Sequence, residues 1–260
     1  MIEFNNVTKV YGTTEALKDV SFTIKNGQIF GLIGHNGAGK STAIKILVSI
    51  LNQTEGTVHI NGKNLTEYRN EIKQKIGYVA DTPNIFLRLK AIEYWELMGT
   101  AYDVPRDQYR SRLTYYIDLF DMSGESEETI ETFSHGMRQK TFLIGALLAN
   151  PDIWVLDEPM TGLDPQAAYD LKQLMRKHAD AGNIVLFSTH NLENAEELCD
   201  EIAILRKGEV LYNGTIQDLQ ARNENESLET IYLKIAGRDA QNQYENDQNI
   251  VEPGDTDDTL

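Results

Sequence analysis

Eight residues constrain this chain more than any others: Gly34-His35-Asn36-Gly37-Ala38-Gly39-Lys40-Ser41. They follow the pattern G-x-x-x-x-G-K-[ST], which binds phosphate when a strand precedes it and a helix follows. Both conditions are met. Ile29-Phe30-Gly31-Leu32-Ile33 reads as a short buried strand, and Thr42 to Leu51 carries apolar residues at helical spacing. The glycines let the backbone bend round an anion with no Cβ in the way. Successive backbone N–H groups and the helix N-terminus then face a phosphate. The candidate nucleotide-binding residues are therefore Gly34, Asn36, Gly37, Ala38, Gly39, Lys40, Ser41 and Thr42. Lys40 can reach the β- and γ-phosphates and act in catalysis, and the Ser41 hydroxyl can ligate Mg²⁺. The expected fold class is α/β, built on a P-loop core.

Phosphate binding leaves many functions open, and composition narrows them. A chain of 260 residues with 41% hydrophobic content has ample material for a core. It contains no apolar run of the ~18 residues a membrane span needs. Its start, Met1-Ile2-Glu3-Phe4, lacks the basic and then apolar regions of a signal peptide. A lone cysteine, Cys199, excludes an internal disulfide and suits the cytoplasm; it reads as a small apolar core residue. The net charge of −16 argues against sequence-independent nucleic-acid binding, which needs Lys and Arg. Arg138 and Lys140 form only a short basic cluster in a helical pattern, read mostly as a solvated face, with a place near a nucleotide as the alternative.

Residues 2–8 and 20–24 alternate as strands do, with a turn region at Tyr11-Gly12. An aromatic such as Tyr11, exposed before the P-loop, can stack on an adenine ring, but taken alone a tyrosine there is more often packed within a strand. Gly56 to Gly62 reads as a strand and tight turn, and Ile76-Gly77-Tyr78-Val79 as a buried strand leading to Asp81. From about 84 to 150 the period becomes helical, over Leu89–Tyr102 and Gln108–Phe120, as in a helical insertion. The insertion ends at Phe133-Ser134-His135-Gly136-Met137-Arg138-Gln139 and an apolar helix. Ser134 suits an N-cap, and with Gly136 it could bind an anion; alone, the pattern is only a capped helix.

Ile153-Trp154-Val155-Leu156 is an apolar strand that ends in Asp157 and Glu158. Carboxylates at the end of such a strand suit the catalytic edge of a parallel sheet. Asp157 can share the Mg²⁺ of Ser41, and Glu158 can polarise a water for attack on a γ-phosphate. Ile184 to Ser188 is a further buried strand, which places His190 at a strand end like the acids. A hairpin is expected around Lys207-Gly208 and a final helix over Leu228–Ile235. Residues 237–260 are acidic and poor in apolar residues, and should be disordered, as a solvating or interacting tail.

Taken in this order, the motifs resemble the nucleotide-binding subunit of an ABC transporter, over about residues 2–235. Tyr11 matches the adenine-stacking tyrosine, Gly34–Ser41 the Walker A motif and Asp81 the Q-loop position. Ser134–Met137 matches the signature, Ile153–Glu158 the Walker B motif with its catalytic glutamate, Leu163-Asp164 the D-loop and His190 the switch histidine. Two residues depart from the family's usual pattern: Asp81 stands for Gln, and His135 for a glycine in Leu-Ser-Gly-Gly-Gln. Asp81 could still bind Mg²⁺ or water. The wording Phe-Ser-His-Gly-Met resembles the ABC-2-type exporter branch.

The resemblance implies an ABC ATPase domain over 1–236, with an antiparallel β subdomain and an α-helical subdomain at about 84–150. It implies ATP and Mg²⁺ as ligands, with Ser41, Asp157 and Asp81 at the metal and Glu158, His190 and Lys40 in catalysis. It also implies a head-to-tail dimer with a second copy or a paralogue, in which Ser134 and Gly136 touch the partner's ATP. The expected partner is a separate multi-span permease, engaged through the region near 82–120, which would hold the chain at the cytoplasmic face of the membrane. The alternative is a soluble ABC-type ATPase acting on ribosomes or DNA. The single P-loop, the lack of room for a long coiled coil and the acidity count against it.

Overall fold

The computed structural model describes residues 1–81 and 86–236. The expectation of a disordered acidic tail falls on residues outside these. The chain divides into two compact units, Met1–Ile216 and Gln217–Leu260.

The first unit contains two sheets. Strands β1 (Ile2–Tyr11) and β2 (Thr14–Ile24) form a hairpin. Next come β3 (Ile29–Ile33), α1 (Lys40–Leu47), β4 (Glu55–Ile60), β5 (Lys63–Asn64), α2 (Arg69–Lys73) and β6 (Ile76–Val79). The helical stretch holds α3 (Ala91–Ala101), α4 (Arg106–Leu119) and α5 (His135–Leu148). Then follow β7 (Ile153–Asp157), α6 (Pro165–Asp180), β8 (Ile184–Thr189), α7 (Leu192–Leu198), β9 (Glu201–Arg206) and β10 (Glu209–Gly214). Helix α8 (Ile216–Ala221) crosses into the second unit, which continues with α9 (Leu228–Ala236). Ser227 caps α9 by accepting from the Thr230 N–H at 3.2 Å, and Lys234 pairs with Glu226.

The smaller sheet is antiparallel, in the order β2-β1-β4-β5. The larger runs β10-β9-β3-β8-β7-β6, parallel from β9 to β6 with β10 antiparallel at its edge. Its central strands are wholly apolar or nearly so, because both of their faces are covered. In β7, Ile153 and Val155 join one apolar cluster, and Trp154 and Leu156 the other. The first cluster includes α1 and the smaller sheet, where Phe4, Phe22 and Phe30 stack with centroids 4.4 and 5.4 Å apart. The second includes α3, α5 and α6. There Tyr94 packs edge-on to Phe142, and Trp95 donates from Nε1 to the Thr141 carbonyl at 3.0 Å.

The sheets also meet at a backbone seam. The Lys18 N–H donates to the Gly208 carbonyl at 2.8 Å, and the Gly208 N–H to the Ala38 carbonyl at 3.0 Å. The P-loop lies in this seam. Because β9, β3, β8, β7 and β6 are parallel, their carboxyl ends share one edge, and the residues after β3, β6, β7 and β8 gather there.

Candidate functional site

The P-loop runs from the end of β3 to the start of α1. Two of its glycines are required by packing. A Cβ on Gly34 would fall 2.5 Å from the Leu205 carbonyl oxygen. Gly39, at φ +112°, would place one 2.9 Å from the Ala16 carbonyl oxygen. The Lys40 side chain folds back over the loop, with Nζ 2.5 Å from the Gly34 carbonyl oxygen and 3.5 Å from Glu158 Oε1. The second contact is an ion pair rather than a hydrogen bond, and Glu158 Oε1 has no hydrogen-bond partner among the described residues.

Asn36 to Thr42 line a cleft of about 290 Å³ together with Ala16, Asp81 and Glu158. Gly34 contributes its carbonyl beneath it. Asp157 is buried beside the cleft, 3% exposed, and Ser188 Oγ donates to its Oδ1 at 2.5 Å. The same Ser188 Oγ accepts from the Glu158 N–H at 3.0 Å. Glu158 itself takes φ +49°, uncommon for a residue other than glycine, so its side chain turns back over the strand end. Its Oε2 lies 3.0 Å from His190 Nδ1. Glu158 also lines a smaller cleft of about 170 Å³ with His190, Asn191 and Asn194. The field here is negative: burial, and then the charges of Asp157 and Asp81, push the Tyr78 hydroxyl well above its ordinary range.

The structure thus brings together the P-loop residues, Asp81, Asp157, Glu158 and His190. It does not bring Tyr11, Ser134 or Gly136 into either cleft. Tyr11 lies at the end of β1, 45% exposed, with Lys9 Nζ 5.2 Å from its ring centroid. Ser134 is exposed and caps α5 by accepting from the Met137 N–H at 3.3 Å. Gly136, in the first turn of α5, packs against the loop after β7, where a Cβ on it would fall 2.4 Å from the Gly162 carbonyl oxygen. Cys199 packs its sulfur against Gly31, and burial raises its thiol pKa; it plays no part in the site.

One expectation is corrected. Arg138 and Lys140 are not a solvated face. Arg138 donates to the Ile130 and Glu131 carbonyls at 3.2 and 2.6 Å. Lys140, 15% exposed, places Nζ 2.7 Å from Asp164 Oδ2, and its hydrogen bond, then that of the Ala167 N–H, lowers the Asp164 carboxyl below its ordinary range. Helical period shows which side of a helix is apolar, but not that backbone carbonyls and an acid from other segments wait opposite its cations. Sequence reasoning also passed over Ser188 and Ala16. Ser188 carries one weak signal, a hydroxyl at the end of an apolar strand, but only the strand order places it beside Asp157.

A strand–loop–helix phosphate cradle with acids at the neighbouring strand ends defines a P-loop nucleoside triphosphatase. The ABC transporter family profile matches residues 17–161. The ABC-type transporter ATP-binding protein EcsA of Bacillus subtilis is 35% identical over 242 residues, 92% of this chain and 98% of its own. The linearmycin resistance ATP-binding protein LnrL of the same organism is 31% identical over 237 residues, 91% of this chain and 76% of its own. The ATP-binding cassette MJ0796, solved as a dimer in a post-hydrolysis state with ADP and Pi, superposes with a TM-score of 0.76. It is 26% identical, over 83% of this chain and 99% of that one. The chain belongs to the ABC transporter family, as one of its ATP-binding, ATP-hydrolysing proteins.

Proposed function

We propose that this chain powers export through a separate membrane permease, as one half of an ATP-bound dimer. The observation that carries the reading is the clustering of Lys40, Asp157, Glu158 and His190 at the mouth of the P-loop. In this reading the backbone N–H groups of residues 36–42 hold the phosphates, Lys40 leaves its carbonyl partners for the β- and γ-phosphates, and Tyr11 stacks on adenine. Glu158 polarises a water for attack at the γ-phosphorus, and the bond to the departing ADP breaks. His190 holds Glu158 through Nδ1 and contacts the γ-phosphate. Ser41, Asp157 and Asp81 are the residues that would hold Mg²⁺. The donor set fits, because all three offer hard oxygens and Asp157 is buried with one hydroxyl partner. The ion neutralises charge on the phosphates when bound.

Ser134 and Gly136 lie outside both clefts, which supports a site completed by a second copy, as does the dimeric form of MJ0796. Among the described residues no helix is long and apolar enough to cross a membrane, and in this reading a separate permease supplies the passage. We assign the permease to an apolar cleft of about 410 Å³ lined by Val48, Ile50, Tyr78, Phe86, Met98 and Tyr102. Ile50 and Phe86 are 57% and 41% exposed beside it, a patch suited to a partner. That placement would hold the chain peripherally at the cytoplasmic face of the membrane. The name of LnrL, a resistance protein, supports export as the direction. The test is Glu158→Gln: it should bind ATP, accumulate as dimer and lose about 10²–10⁴-fold in turnover, the usual worth of a general base. Turnover at the wild-type level would remove Glu158 from this role.

A further inference from the structure

The first turns of α5 and the loop 158–164 interlock. Gly136 sits against the Gly162 carbonyl oxygen, 2.4 Å from where a Cβ would be. Gly162, at φ +78°, is covered by the His135 ring, whose Cδ2 lies 2.3 Å from the place of a Cβ there. Gln139, 1% exposed, donates from Nε2 to the Pro159 carbonyl at 3.3 Å. Lys140 pairs with Asp164 at 2.7 Å. The other end of this loop is Glu158, anchored by Ser188, His190 and Lys40. Between the two ends, the Thr161 N–H donates to the Glu158 carbonyl at 3.2 Å and the Leu163 N–H to the Met160 carbonyl at 3.3 Å. A short loop tied at both ends and across its middle passes a displacement from one end to the other.

We infer that His135 and Lys140 are positioning residues, which set Glu158 through this loop and make a chain's own hydrolysis depend on how its α5 turn is seated. The inference rests on the dimer reading above, in which that turn meets the nucleotide of the other copy. The Asp164 side chain is 50% exposed, so its pair with Lys140 adds little stability. What the pair supplies is a fixed distance between α5 and the start of α6. His135 adds a contact that a glycine at that position could not make.

The test uses the full chain with Lys140→Gln, Lys140→Arg and His135→Ala, each made also in the Glu158→Gln background. With Mg²⁺-ATP, Lys140→Gln and His135→Ala should lower kcat about 10- to 100-fold, the cost of misplacing a catalytic group by up to an ångström. KM should stay within about two-fold, because the phosphate cradle is untouched. Lys140→Arg should restore most of the rate. In the Glu158→Gln background both variants should still dimerise with ATP, by light scattering. Wild-type kcat in both variants, with dimerisation intact, would overturn the inference alone. Loss of ATP-dependent dimerisation in a normally folded variant would place these residues in the dimer contact instead, and would also overturn it. If Glu158→Gln itself stays monomeric with ATP, the dimer reading falls and the inference with it.

Discussion

Ser188 shows how one hydroxyl can organise two acids. It donates to Asp157 and accepts from the Glu158 backbone, so the carboxylate proposed for the metal and the one proposed for water share a single support. Ser188→Ala would leave the buried Asp157 short of a donor and release the strained turn at Glu158. The expected cost is about 1–3 kcal/mol, the penalty for a buried polar group that loses its partner. A lower urea midpoint together with reduced ATP turnover would bear this out, and an unchanged midpoint and rate would remove Ser188 from the site. The P-loop, Asp157 and Glu158 were legible in the sequence because each sits in a local pattern: glycines before a helix, or acids ending an apolar run. Ser188 and the Lys140–Asp164 pair were not, since both join segments distant in the chain and depend on which strands and helices become neighbours.

The elements that read most clearly are those buried on both faces, such as β3, β7 and β8, whose apolar runs leave little else to form. The ones passed over are short and polar. Helix α2 buries only Ile72, and α7 buries only Ala195 and Leu198 among acidic residues. Strand β2 begins at Thr14 rather than near residue 20, and register shifts in its pairing with β1 hide this in the sequence. The left-handed residues Asn6 and Asp19 interrupt the alternation that marks a strand. Helix α6 carries its own prediction. Its His178 lies edge-on to Trp154, 5.8 Å between centroids, and burial lowers its pKa below 6.5 against the opposing pull of the Pro151 backbone and Asp152. The unfolded chain therefore takes up this proton first, so stability is lost as pH falls from about 6.5 towards the folded pKa. Melting temperatures taken at about pH 7.5 and 5.5 should fall less for His178→Gln than for the wild type. Equal falls would assign the loss to other groups.

At the scale of the molecule, the two halves of the proposed chemistry lie apart: the acids and the P-loop at one sheet edge, the Ser134 turn outside both clefts. Ser134→Arg should therefore abolish hydrolysis while ATP affinity, measured on the monomer, changes little. The lost cap on α5 would cost about 1 kcal/mol, which a chain of this size tolerates. A large loss of monomer affinity would contradict a site shared between copies. The P-loop also lies in the seam where the smaller sheet meets the larger, its glycines hemmed by Ala16 on one side and Leu205 on the other. Two separate demands therefore hold the same residues, one from the phosphate and one from the backbone beside it. A descendant of this protein that lost Glu158 and stopped hydrolysing ATP would still be obliged to keep Gly34 and Gly39 in order to fold. In such a lineage the motif would outlive its chemistry, and the acids at the strand ends, which packing does not require, would record when the activity ended.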